Sequence, residues 1–233
     1  MFKHLVKRCV PPLSRRFCCT TFQSTKILLQ TEDDCTYQGK RIGQQLQRIL
    51  DETTNKADFK HANCILLTGH VGAGKTVFAR GLIRELSPSA INEDIPSPTF
   101  CLDFNYPMEN VTNNHNAFSE TLCSAFPRGI HHLDLYRLTG TNPVDLYALE
   151  FSKLIKEAIT IVEWPERLRS RNIVLDGALW VNIQLSENEA DKKYETNLNM
   201  TEDMFEEWLS VPRHVTYECG INSPWSTFVS EVT

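Results

Sequence analysis

The sequence predicts an α/β domain, one mixed sheet flanked by helices, with an extension at each end. Three observations carry that expectation. Short apolar runs of strand length, Cys64 to Leu67 and Ile159 to Val162, alternate along the chain with segments of helical spacing. A glycine-rich loop sits between the first of those runs and the helix after it. Two alternating segments, Phe100 to Tyr106 and Ile130 to Tyr136, flank a polar stretch and read as a hairpin, which makes the sheet mixed rather than purely parallel.

Taken in order, the elements follow from local pattern. Ile42, Leu46, Ile49 and Leu50 mark one face of a helix that starts near Gly39. After a polar link, Cys64 to Leu67 reads as a buried strand, and Val77 to Leu86 as a helix that stops at Ser87-Pro88. A strand is expected from Phe100 to Tyr106. The Asn-, Ser- and Thr-rich residues 107–129 form an insertion without periodicity, followed by a strand from Ile130 to Tyr136. Asn142 and Pro143 supply a cap and first turn for a helix to about Ala158. The β-branched run Ile159 to Val162 is the next strand, and Leu179, Val181, Ile183 and Leu185 alternate in what reads as the last one. A short helix, Glu202 to Leu209, is expected in the polar tail. The domain is thus placed at residues 32–186, with an acidic and polar extension at 187–233.

Charge divides the chain. Residues 1–31 hold six basic residues (Lys3, Lys7, Arg8, Arg15, Arg16 and Lys26) and no acid. That composition, without a continuous apolar core, is the one expected of a mitochondrial or plastid transit peptide; the other reading is a disordered basic tail on a cytoplasmic protein. The remainder carries 18 basic against 29 acidic residues, which argues against a self-sufficient nucleic-acid clamp. No apolar run reaches the roughly 18 residues that a bilayer crossing needs, so no membrane role is expected. The eight cysteines show no C-x-x-C pair and read as small buried side chains or spectators.

The chemistry begins at Gly69-His70-Val71-Gly72-Ala73-Gly74-Lys75-Thr76. Two glycines, Gly69 and Gly74, followed by Lys and Thr satisfy the phosphate-loop pattern. Chance produces it in roughly one chain of this length per hundred, and the strand before and helix after it lower that further. Glycines let the backbone N–H groups of Gly69 to Val77 turn toward phosphates at a helix N-terminus. Lys75 is expected to reach the β and γ phosphates of a nucleotide, and the Thr76 hydroxyl to ligate Mg²⁺. The fold expectation is therefore P-loop NTPase-like. Phosphoryl transfer also needs a carboxylate for the metal and a group that orients the attacking water. Such groups come from the carboxyl ends of strands, where Asp134 and Glu163 stand. His132 reads as a packed or hydrogen-bonded residue.

Three further motifs lie behind the loop: Ser97-Pro98-Thr99-Phe100, His132-Leu133-Asp134-Leu135-Tyr136-Arg137-Leu138 and Glu163-Trp164-Pro165-Glu166. With the loop ahead of them, their order and spacing closely resemble the TsaE (YjeE) family over about Thr31 to Leu185. The resemblance implies a small ATPase that uses ATP and Mg²⁺ and acts on TsaD-like and TsaB-like proteins. Those partners make threonylcarbamoyladenosine at position 37 of tRNAs reading ANN codons, so tRNA is contacted only indirectly. It further implies that Thr76 and Glu163 are the metal ligands, Asp134 the catalytic acid, Thr99 part of a γ-phosphate-sensing switch, and Trp164 a neighbour of the nucleotide. The family's first-helix threonine, which contacts the nucleotide, corresponds here to Cys35 or Thr36.

Two other functions fit the loop alone. A small-molecule kinase would need a lid with several arginines, and between Ser87 and Tyr136 only Arg128 is present. The other is a scaffold that senses nucleotide without hydrolysing it.

Overall fold

The computed structural model describes residues 21–52, 61–92, 94–108, 129–138, 150–169, 173, 175–186 and 211–232. Among them a seven-stranded mixed sheet forms the middle layer. Its strands are β1 (Phe22–Leu29), β2 (Cys64–Thr68), β3 (Asp103–Tyr106), β4 (Ile130–Asp134), β5 (Ile159–Glu163), β6 (Leu179–Leu185) and β7 (Arg213–Gly220). Their order across the sheet is β1-β7-β6-β2-β5-β4-β3. The central four, β6, β2, β5 and β4, are parallel; β3 pairs antiparallel with β4, β7 with β6, and β1 with β7.

β2 and β5 are buried on both faces because helices cover both, whereas β6 alternates and leaves Gln184 exposed. Ile65, Leu67, Ile161, Val181 and Ile183 face one core, which includes Ile42 and Leu46 of α1 (Glu32–Glu52) and Phe78 and Leu82 of α2 (Lys75–Leu86). Leu66, Leu133 and Val162 face the other, with Phe151 and Ile155 of α3 (Phe151–Glu157) and Leu168 of α4 (Glu166–Arg169). Burial on both faces explains why β2 and β5 read as continuous apolar runs.

Helix α1 starts seven residues before Gly39. Thr31 and Asp34 form a reciprocal cap: the Thr31 N–H donates to Asp34 Oδ2 at 3.0 Å, and the Asp34 N–H donates to Thr31 Oγ1 at 3.1 Å. The N–H groups of Gln30 and Thr31 hold the Asp34 carboxyl below the usual carboxylate range. Between α1 and α2 the backbones nearly touch. A side-chain carbon on Gly39 would lie 2.1 Å from the Phe78 carbonyl oxygen, and one on Gly81 would lie 2.1 Å from that of Thr36.

Three expectations are corrected. The leader was bounded at residue 31, yet Phe22 to Leu29 form β1 and pair residue by residue with Gly220 to Arg213. The extension expected at 187–233 contains a strand of the sheet, β7, so β6 is not the last strand, and α5 (Ser226–Glu231) packs Phe228 and Val229 into the core. The strand expected from Phe100 starts only at Asp103. Pro98 to Phe100 are a 3₁₀ turn in which the Cys101 and Leu102 N–H groups donate to the Pro98 carbonyl, and Leu102 turns the chain with φ 65°. Proline's fixed φ suits the first turn of a helix and not a strand interior. Insertion residues 109–128, the first part of the helix expected from Asn142, and Glu202 to Leu209 lie outside the described residues. Among the described cysteines Cys35, Cys64 and Cys219 are buried thiols and Cys101 is exposed. No helix among the described residues is long and apolar enough to cross a membrane.

Candidate functional site

The site is built where β2, β4 and β5 end. Strand alternation sets which side chains meet there. Ile130, His132 and Asp134 share one face of β4, as do Ile159, Ile161 and Glu163 on β5, and Asp134 pairs with Glu163 in the ladder. Both carboxylates therefore point to the face where α2 begins, directly after the loop that leaves β2.

The loop keeps its path through backbone conformations that side chains resist. Gly69, Gly72 and Gly74 have φ of 138°, 76° and 107°. His70 and Val71 form the exposed tip, Val71 with 62% of its surface open, while Ala73 is buried. The Val77 side chain packs against the core, which leaves only its backbone to meet a ligand. Lys75 is almost wholly buried and folds back over the loop: Nζ donates to the carbonyls of Gly69 at 2.9 Å and His70 at 2.7 Å. It also lies 4.0 Å from the centre of the Trp164 ring, a cation–π contact. Trp164 is set in that place by its own φ of 61° and by its N–H, which donates to the Leu67 carbonyl at 3.2 Å. Its ring meets Tyr136 at 5.0 Å between centres. Burial pushes the Lys75 ammonium below the ordinary lysine value, and the charges of Glu163, Asp134 and Glu166 oppose that shift.

The two carboxylates have different partners. Glu163 Oε1 accepts from the Thr76 hydroxyl at 2.8 Å and lies 3.0 Å from His132 Nε2. His132 is fully buried, and its Nδ1 has no hydrogen-bond partner among the described residues. Asp134 Oδ1 accepts from the Tyr136 N–H at 2.8 Å, and Oδ2 accepts from the Thr99 hydroxyl at 2.5 Å. Thr99 in turn shares a hydrogen bond with Ser97 at 2.8 Å. Asp134 and Glu163 are each 2% exposed.

These contacts bring together Lys75, Thr76, Thr99, Asp134, Glu163 and Trp164 with the loop from Gly69 to Val77. A model of one protein family, described as threonylcarbamoyl adenosine biosynthesis protein TsaE, matches residues 30–195. The chain belongs to the TsaE family. It is 28% identical over 163 residues to the tRNA threonylcarbamoyladenosine biosynthesis protein TsaE of Rickettsia felis, covering 70% of this chain and 74% of that one. The protein of the same name from Aquifex aeolicus is 28% identical over 154 residues, 65% of this chain and 84% of its own. A crystal structure of Bacillus subtilis YdiB aligns over 91% of this chain and 94% of that one at 14% identity, with a TM-score of 0.45.

Both first-helix candidates in this TsaE-family chain, Cys35 and Thr36, lie in the first turns of α1. Cys35 is buried beneath the loop, its Sγ 3.6 Å from the Gly74 carbonyl, and burial pushes the thiol up to about 12. The sequence reading of His132 as packed or hydrogen-bonded agrees with its contact to Glu163 but does not name that partner, and no local pattern marks Arg213, whose Nε donates to the Ala73 carbonyl at 3.1 Å.

The donor set suits a hard divalent cation held jointly with a nucleotide. Thr76 Oγ1 and Glu163 offer two oxygens 2.8 Å apart, and magnesium sites are completed by phosphate and water rather than by a full protein cage. Among the described residues no group of three or more His, Cys, Asp or Glu could hold a metal by itself.

Proposed function

We propose that this chain is the ATP-binding and ATP-hydrolysing component of the machinery that makes N6-threonylcarbamoyladenosine at position 37 of tRNAs reading ANN codons, acting through TsaD-like and TsaB-like proteins. The observation that carries this reading is the convergence of Lys75, Thr76, Asp134 and Glu163 at one end of the sheet. The place of the family and of its named relatives in threonylcarbamoyladenosine biosynthesis supplies the pathway.

In this reading the β and γ phosphates replace the Gly69 and His70 carbonyls as partners of Lys75, and the loop N–H groups close around them. Lys75 then leaves the Trp164 ring, which is free to line the nucleotide. Thr76 and Glu163 would hold Mg²⁺, which would supply positive charge against the phosphates. His132 holds the Glu163 carboxylate toward Thr76. Asp134 is the carboxylate that orients the attacking water or deprotonates it as a base, and it does so only once Thr99 releases Oδ2. The Ser97 to Thr99 segment thereby acts as a switch: with Thr99 on Asp134 the carboxylate is engaged, and a partner surface that draws the segment away frees it.

Residues 1–20 keep five of the six basic residues and no acid, and they are the proposed transit peptide, directing the protein to a mitochondrial or plastid matrix. The acidic body makes tRNA an unsuitable direct activator.

The test is steady-state phosphate release from residues 21–233, alone, with tRNA, and with TsaD-like and TsaB-like proteins. Slow release alone and stimulation by the proteins is the expected result. Full activity alone, or stimulation by tRNA without protein, overturns the proposal.

A further inference from the structure

The phosphate loop is braced from behind by the paired strands β6 and β7. Gly69 lies so close to β6 that a side-chain carbon there would fall 2.1 Å from the Ile183 carbonyl oxygen. Four residues further on, the Ala73 carbonyl accepts from Arg213 Nε at 3.1 Å. The same guanidinium donates through a terminal nitrogen to the Val211 carbonyl at 2.9 Å, and the residue is 2% exposed. Arg213 stands at the start of β7, paired with Leu185 of β6 and Leu29 of β1, so three strands fix its place. It is 140 residues from Ala73 in sequence and lies outside the 30–195 segment that matches the family.

We propose that Arg213 is a positioning residue of the nucleotide site, holding the peptide between Ala73 and Gly74 so that the Gly74 N–H faces the phosphates. The proposal rests on the nucleotide-binding reading above. A trans peptide is planar, and its C=O and N–H point in opposite directions. A donor fixed on the Ala73 oxygen therefore fixes the Gly74 N–H on the side away from Arg213, the open side of the loop. Gly74, at φ 107°, has no side chain to hold that plane by itself. The space a side chain would take is bounded instead by Arg213 Nε and Cys35 Sγ, each 3.4 Å from it.

Arginine suits the task better than lysine. Its planar fork spans the Ala73 and Val211 carbonyls at once, whereas an ammonium is a point charge on a flexible stem. Burying a cation is unfavourable unless something nearby favours positive charge. A phosphate held by the loop would do so, and Arg213 would add to the potential set by Lys75 and the α2 N-terminus.

The experiment compares the full chain with Arg213→Lys and Arg213→Met. Thermal unfolding without nucleotide, amide hydrogen exchange of residues 70–76 without nucleotide, and ATP affinity by calorimetry are measured for each. Arg213→Met is expected to stay folded, to speed exchange at Ala73, whose N–H donates to the His70 carbonyl at 3.2 Å, and to bind ATP about tenfold more weakly or worse, the loss expected for a charged hydrogen bond. Arg213→Lys should fall between it and the wild type. Wild-type exchange and wild-type affinity in a folded Arg213→Met overturn the proposal. Loss of folding in both variants also overturns it, since the arginine would then be holding the sheet and not the loop. A wild-type chain that binds no ATP removes the nucleotide reading itself, an outcome distinct from both.

Discussion

Lys75 is under two opposed demands. In the proposed function its charge is needed against phosphate, yet burial favours the neutral form and pushes its pKa below the ordinary 10.5. ATP affinity should therefore decline as pH rises through that depressed value, before 10.5 is reached. Stability without nucleotide should move the other way. Between the two pKa values the unfolded chain binds more protons than the folded one, so stability rises with pH across that window. Calorimetric ATP titrations and thermal melts from neutral to alkaline pH check both signs, with Lys75→Ala as reference. That variant should lose ATP affinity roughly a hundredfold, the range of a strong charge-assisted contact.

Asp134 and Glu163 are neighbours in the ladder but differ in what they touch, and their variants should differ accordingly. Asp134→Asn should bind ATP with little change and release phosphate at least ~100-fold more slowly, since an amide cannot act as base. Glu163→Gln should weaken binding with Mg²⁺ more than binding without it. Calorimetry with and without the metal, beside single-turnover phosphate release, reads both; the reverse pattern would mean the two roles are exchanged.

At the scale of elements, the contact that sets α2 and so the loop is the glycine crossing with α1. Replacing a mid-helix glycine by alanine ordinarily gains about 1 kcal/mol in helix propensity. At Gly81 the added carbon would meet the Thr36 carbonyl oxygen at 2.1 Å, a backbone atom that can give way only if the helices separate. Overpacking of this kind costs about 1–3 kcal/mol or more, so Gly81→Ala should be destabilising on balance, with ATP affinity reduced because α2 carries Lys75 and Thr76. Urea unfolding decides it: a variant as stable as the wild type would show that the helices are not held at this distance.

At the scale of the whole molecule, the two ends of the chain close one edge of the sheet. β1 covers β7, and Gln23 and Thr25 donate to the Ser226 and Val229 carbonyls of α5. A chain of residues 21–233 should fold and bind ATP. One of residues 32–233 should be less stable and prone to associate, because it leaves the β7 edge unpaired. Thermal melts and light scattering compare the two, and equal behaviour would make β1 dispensable. Residues 1–20 fused to a fluorescent protein should reach the organelle without the strand; cytosolic fluorescence would leave them a basic tail.

The sequence by itself determined the phosphate loop, the central strands, α2 and the two carboxylates at strand ends. Each is written in a pattern of a few neighbouring residues, such as glycine spacing before Lys75-Thr76 or the apolar run that doubly covered parallel strands require. Even the start of α1 was present locally, in the Thr31 and Asp34 capping pair. Tertiary structure decided what these groups touch. Nothing near Arg213 in the chain points to Ala73, and nothing near Thr99 selects Asp134 as its acceptor. The alternation of Val215, Tyr217 and Cys219 was there to be read, but its place beside β6 and β1 depended on strands more than 25 residues away on one side and near the opposite end of the chain on the other. Periodicity reports how a segment meets its immediate surroundings; which distant backbone it meets is fixed only when the sheet closes.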